Sequence, residues 1–301
     1  MKVLLKKTFI KMFKPVPVLV SVLISGALGF VLSRVYLNLF NQNTSYSNLA
    51  LNIEIMYIVF GFVFLSGLVI WVIVANYATG LFASEIHEGT IRLLLSKPIS
   101  RLQLVLGKIL GLFLGAIGYL LIICATFIFS FTLSSQVEKD ILEVILKDSI
   151  MFIGYGIVLI FIIGSIGSFL SSCFKKKAPA VILLVFLAMI VFGIIPIMRL
   201  YMQDIYNSWH LYYFDINYHL ALISHQFFGL VSNLEAPLSQ LNMLNLFTNL
   251  FINAMPDYDL GNYAIDFFNN SLNGTLIMIV YIAGSCLLYG LTYKNILNKD
   301  I

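Results

Sequence analysis

Charge is what this chain has least of. Of 301 residues, 11% are charged and 60% hydrophobic, and the mean hydropathy is +0.96. A soluble domain carries roughly 25% charge, so the composition excludes an ordinary water-soluble fold and points to a polytopic membrane protein. Cysteine is scarce as well. Cys124, Cys173 and Cys286 are odd in number and far apart, which fits neither a disulfide framework nor a compact zinc cluster. No G-x-x-x-x-G-K-[ST] phosphate loop is present, because Gly107-Lys108 has Leu102 where the first glycine belongs. "HEGTI" from His87 opens like a zinc-protease helix, but Ile91 stands in the place of the second histidine. His210, Asp215, His219 and His225 share one segment without a metal-ligand spacing, and read as part of an aromatic-rich polar loop. The middles of most apolar runs hold no Asp, Glu or His of the kind that ion-coupled carriers bury at mid-membrane.

What the chain has is length in oil. A membrane helix needs about 20 apolar residues, and six stretches qualify: 15–37, 55–82, 105–133, 149–173, 178–200 and 272–293. The first is read as a retained helix rather than a cleaved leader. Basic residues set the orientation. With the N-terminus inside, the inner segments hold Lys2, Lys6, Lys7, Lys11, Lys14, Arg92, Lys97, Arg101, Lys108, Lys175, Lys176, Lys177, Lys294 and Lys299, whereas the outer segments hold Lys139 and Lys147. Arg34 and Arg199 fall near outer helix ends and are expected to snorkel to the headgroups. The fold class is therefore all-α, six spans, N-in and C-in. "KVLLKKTFIKMFK" sets Val3, Leu4, Leu5, Phe9, Ile10 and Phe13 against five lysines, an interfacial amphipathic helix over 1–14. Residues 134–148 read as a separate short amphipathic helix outside. Residues 204–271 contain no Lys or Arg, begin with Trp209, Tyr212, Tyr213, Phe214 and Tyr218, and are expected to form an outer cap on the membrane surface. Gly107, Gly111, Gly115 and Gly118 put small residues along one helix, a seam either for packing within the subunit or for a dimer.

The segment "EGTIRLLLSKPISRLQLVLGK", Glu88 to Lys108, is unusual for a loop. Gly89 weakens the incoming helix and Thr90 is a competent N-cap. Pro98 stops the short leucine-rich helix and pushes Lys97 out of helical geometry. Ser100 with Gln103 forms a capping-box pattern that starts the next helix. A helix–break–short helix–break–helix element results. From the residues alone it fits an interfacial anchor as well as a docking bar for a partner.

The pattern E-x-x-x-G-T-x-x-x-L-L-S-x-P-x-S-R-x-x-x-x-x-G-K, from Glu85 to Lys108, resembles the permease subunits of ATP-binding-cassette exporters of the second exporter class, the ABC-2 type. The match runs through Glu85, Gly89, Thr90, Leu94, Leu95, Ser96, Pro98, Ser100, Arg101, Gly107 and Lys108. The resemblance implies a half-transporter in the cell membrane. It pairs with a second permease subunit, identical or not, and with a separately encoded cytoplasmic ATPase that carries the ATP and Mg; no cofactor is expected on this chain and no nucleic-acid partner. It makes 83–104, with Glu88 and Arg92, the coupling helix region, and 1–14 the connecting helix. It further implies a substrate pathway lined by the second and fifth spans, with Trp71, Asn76, Tyr77 and Thr79 as candidates. The cargo expected from the aromatic outer segment, free of Lys and Arg, is an amphipathic or hydrophobic compound or peptide. An ion-gradient carrier, an intramembrane enzyme and a sensor or immunity complex for antimicrobial peptides are the rival readings.

The orientation is directly testable. On a background lacking Cys124, Cys173 and Cys286, single cysteines at Ser96 and Asn298 are expected to react only with permeant reagents from the cytoplasmic side, and one at Ser239 from outside. Outside labelling at Ser96 would overturn the topology.

Overall fold

A computed structural model describes residues 2–41, 53, 55–90, 100–135, 138–228, 247–248 and 272–298. All secondary structure among them is helical. Six helices are long and apolar enough to cross a membrane: Pro15–Asn38, Ile55–His87, Arg101–Ser135, Lys139–Cys173, Lys177–Arg199 and Gly274–Leu297, here the first to sixth spans. An N-terminal helix, Lys2–Met12, precedes them.

The second span is the centre of the bundle. Its apolar window is 72% buried, against 28% for the first and fifth spans and 17% for the sixth. The first span packs on the third, and the third and fourth pack on each other; the sixth lies mainly along the fourth. Tyr57 and Ser149 share a buried hydrogen bond of 2.5 Å between the second and fourth spans. Near the other end, the second span breaks after Ala78 and resumes as Ala83–His87. Restarting a helix leaves backbone N–H groups without partners. Here Phe82 N and Ala83 N both donate to Ser171 Oγ of the fourth span, at 2.8 and 3.0 Å.

The glycine seam receives the N-terminal helix of the same chain. A Cβ on Gly111 would lie 2.7 Å from Leu5 O and 2.8 Å from Thr8 Cβ, one on Gly118 would meet Phe13, and one on Gly115 would collide with Met12. The missing side chains let the two helices touch backbone to side chain. Two phenols then finish the helix: Tyr77 and Tyr119 both donate to Met12 O, at 2.8 and 2.6 Å, and Phe13 stacks on Tyr119 with centroids 5.1 Å apart. The seam therefore serves packing within the subunit.

Three expectations change. Residues 134–148 do not form a separate helix: Lys139–Cys173 is continuous, because Ile141 and Ile145 are buried on the same side as Ser149 and Phe152 and nothing between them breaks the winding. The helix of the third span does start where the Ser100–Gln103 box was expected to start it, at Arg101. Arg199 does not snorkel. It is 7% exposed, with Nη1 3.3 Å from Asp215 Oδ2 and Nη2 donating to Asn217 Oδ1 at 2.5 Å. Asp215 also caps the helix Ile216–Phe228, accepting from Tyr218 N at 2.9 Å and from Tyr206 Oη at 2.7 Å. That helix is not a surface layer. It packs against the fourth and sixth spans, burying Leu220, Ala221, Ile223 and Phe228. Burial lowers the pKa of His219, which faces Tyr281 Oη of the sixth span at 3.1 Å; burial and the neighbouring negative charge of Asp215 raise the pKa of Tyr206. The remainder of the expected cap, 229–246 and 249–271, lies outside the described residues.

The seam predicts a sharp contrast between glycines. Gly111→Val is expected to cost about 1–3 kcal/mol by overpacking, and to speed tryptic cleavage at Lys6 and Lys7 by lifting the N-terminal helix. Gly284→Val, with nothing within 4 Å of its Cβ position, is expected to leave both unchanged.

Candidate coupling and transport site

The two ends of the Glu85–Lys108 pattern meet. Lys108 enters the third span almost fully buried, with its side chain 4% exposed, and forms an ion pair with Glu85 at the end of the second span. Its Nζ also donates to Leu81 O at 2.7 Å and lies 4.9 Å from the centroid of the Phe82 ring. A buried ammonium is tolerated only when its protons find partners, and a carboxylate, a carbonyl freed by the helix break and an aromatic face supply them. The excursion between the second and third spans is thus closed at its root.

Each end of the excursion is separately defined. On entry, Glu88 takes the C-cap of Ala83–His87 and Gly89 follows at φ +68°, the left-handed conformation in which glycine carries no Cβ penalty. Thr90 Oγ1 donates back to Glu85 O at 3.4 Å. On exit, the expected capping box is formed in both directions: Gln103 N donates to Ser100 Oγ at 3.2 Å and Ser100 N to Gln103 Oε1 at 3.3 Å. Arg101 Nη1 then donates to Ile296 O at 3.2 Å and to Leu297 O. These are the last carbonyls of the sixth span, the negative end of its dipole. Arg92, Leu94, Leu95, Ser96 and Pro98 fall in 91–99, outside the described residues.

The four pathway candidates on the second span separate. Trp71 is 2% exposed and donates Nε1–H to Leu184 O of the fifth span at 2.9 Å. Thr79 is fully buried and bonds Ala75 O of its own helix at 2.6 Å. Tyr77 holds Met12 as described. Asn76 accepts from Lys177 Nζ at 2.6 Å, an interhelical bond. The open stripe of this helix is Leu68 and Val72, each 41% exposed, with Asn76 one further turn along. In an all-apolar run periodicity cannot show which leucine stays uncovered, so the sequence alone did not single these two out.

The second and fifth spans also share an unusual winding. Phe60–Ile70 and Ile190–Ile194 are π-helical, a form generally confined to single turns and frequent at functional sites. The two segments touch. Phe192 sits over Gly67, where a Cβ would approach its ring to 2.7 Å, and packs edge-on against Phe62 and Trp71 with centroids 5.4 and 5.7 Å away.

A family model described as ABC-2 family transporter protein matches residues 8–295. The chain belongs to the ABC-2 transporter family. As an ABC-2 permease it is a multi-pass membrane component of an ATP-binding-cassette transporter, not itself an ATPase. No curated protein matches it. In this permease the residues of the sequence pattern that are described gather at one end of the bundle, together with the N-terminal helix and the end of the sixth span.

Breaking the root clamp has an expected cost. Lys108→Met leaves Glu85 without its partner and is expected to destabilise the protein toward the lower end of about 3–5 kcal/mol, since Glu85 keeps some exposure. The double variant Glu85→Gln with Lys108→Met is expected to recover much of the loss, because no unpaired charge remains. Thermal unfolding of the purified permease in detergent measures both.

Proposed function

We propose that this permease is the membrane half of an exporter driven by a separate cytoplasmic ATPase, working as a pair with a second permease subunit in the plasma membrane. The observation that supports this reading most is the construction of the Glu85–Lys108 excursion. It is pinned at its root by a buried ion pair, capped on both flanks, and joined on exit to the end of the sixth span. A passive loop needs none of these; an element that transmits force needs all of them. Glu88 supports the same reading. It is exposed at a helix C-cap, where a carboxylate faces the negative end of the dipole and gains nothing from the helix. Its exposed carboxylate is open to a cationic surface on a partner.

In this mechanism ATP binding closes the ATPase pair and drives the two coupling elements together. The second span carries the displacement through its break at Thr79–Phe82, held by Ser171. The pathway between subunits is faced by Leu68, Val72 and Asn76. Trp71, Tyr77 and Thr79 act beside it, tying the second span to the fifth span, to the N-terminal helix and to its own backbone. An apolar stripe ending in an amide suits an amphipathic or hydrophobic cargo. No covalent chemistry is asked of this chain.

Charge reversal decides between docking bar and anchor. Glu88→Arg with Arg92→Glu leaves net charge and apolar content unchanged. It is expected to insert normally in the membrane, yet to lose ATPase co-purification and coupled transport, because like charges juxtaposed at an interface cost several kcal/mol. Undiminished association and transport would leave the interfacial anchor as the better account.

A further inference from the structure

Beside the coupling root lies a cleft of about 500 Å³ between the N-terminal helix and the second span. Its wall carries five lysines, Lys7, Lys11, Lys14, Lys108 and Lys177, against two glutamates, Glu85 and Glu88. Lys108 and Glu85 satisfy each other. Among the described residues no carboxylate pairs with Lys7, Lys11 or Lys14, which are all exposed. Lys7 and Lys11 are one helical turn apart and so share a face. Lys177 comes from elsewhere in the chain, the start of the fifth span. Its stem passes 3.3 Å from the Cβ position of Gly80, and its ammonium is held at the cleft wall by Asn76. Three separate parts of the fold thus bring like charges around one cavity, an arrangement that repels itself while empty.

We propose that this cleft binds a phosphate-bearing anion, and that the headgroup of an anionic phospholipid is its source. The depth is right for a headgroup: the cleft lies where the third span begins to bury Lys108 and the fifth span starts, at one end of the bundle. The surroundings suit a lipid more than a free ion. Leu4, Met12 and Pro17 make part of the wall apolar, and just beyond it the first span exposes Val16 at 70%, Leu19 at 57% and Val20 at 46%, a surface along which acyl chains can lie. Lysines near an anionic lipid surface are drawn to it electrostatically. A bound headgroup phosphate, drawn by the lysines and within reach of the Thr90 hydroxyl, joins the N-terminal helix to the end of the second span. The inner leaflet as its home rests on the orientation proposed above; the site itself does not.

The test uses the full-length permease, purified in an uncharged detergent, with thermal unfolding as the readout. It compares added phosphatidylglycerol, phosphatidylcholine and inorganic phosphate at equal concentration. Phosphatidylglycerol is expected to raise the unfolding temperature, and phosphatidylcholine to leave it unchanged. A shift by phosphatidylglycerol without one by inorganic phosphate assigns the lipid source; a shift by inorganic phosphate as well assigns the free anion and keeps the site. Lys7→Gln with Lys11→Gln is expected to raise the lipid concentration for half-effect about 30-fold. Lys177→Gln, which retains a donor for Asn76, is expected to weaken it too. Lys2→Gln with Lys6→Gln, on the same helix but outside the cleft, is expected to change nothing. Equal losses in the two helix pairs, or no loss in Lys177→Gln, would reduce the effect to general surface charge and overturn the proposal. So would the absence of any shift. None of these outcomes bears on ATPase docking, so the site and the exporter reading fail separately.

Discussion

The buried ammonium of Lys108 is the constraint on which the rest of this end of the bundle depends. A charge at this depth must be answered, and the answer dictates local structure. The second span has to break so that Leu81 can offer a free carbonyl, and Glu85 has to follow one turn later. The break in turn exposes the N–H groups of Phe82 and Ala83, which obliges the fourth span to present Ser171. One ion pair therefore ties three spans into a fixed relation. The fold becomes specific at the point where a uniformly apolar bundle would otherwise be free to slide, since leucine contacts between helices in lipid carry little directional preference.

Beyond this clamp the bundle is organised by what is missing rather than what is present. The glycines of the third span carve a trough for the N-terminal helix, and the lone carbonyl of Met12 is claimed by Tyr77 and Tyr119. Gly67 does the same for Phe192 between the two π-helical segments. At the opposite end polar pairing takes over. Arg199, Asp215, Asn217 and Tyr206 form a compact network that turns the chain after the fifth span and seats the helix Ile216–Phe228 between the fourth and sixth spans.

The legible part of this architecture was whatever rests on local pattern. Six spans follow from hydropathy, and the Ser100–Gln103 box from two residues three apart. The break at Gly89 follows from a residue suited to positive φ. What the sequence could not disclose depends on contacts across the chain. Arg199 reads as a snorkelling residue until Asp215 is seen to reach it. The glycine seam keeps a second reading, a dimer seam, until Leu5 and Thr8 are seen to occupy it. Glu85 and Lys108 stood at the two ends of the recognised pattern, and opposite charges flanking an excursion were the available clue to their pairing. The continuous winding of Lys139–Cys173 was hidden because its polar start looks like a loop helix in isolation. The π-helical segments leave no periodic trace in a run where nearly every residue is apolar. At the candidate site, the flanks of the coupling element were legible and its tie to the sixth span was not, because that tie runs through backbone carbonyls that carry no sequence identity.

The sixth span then takes on a mechanical character. Little of it is buried, and its side-chain bonds to the rest of the chain lie mostly toward its two ends. Arg101 holds Ile296 and Leu297, and Asn295 donates to Ser172, at one end; Thr275 meets Gln226, and Tyr281 meets His219, toward the other. It is a strut tied at both ends and once between them, where Tyr289 donates to Phe161 O of the fourth span at 3.3 Å. A rod of 24 helical residues is about 36 Å long and stiff along its axis. Its two tips thus belong to opposite ends of the bundle: one is held by Arg101, and the other lies against the helix that Asp215 caps.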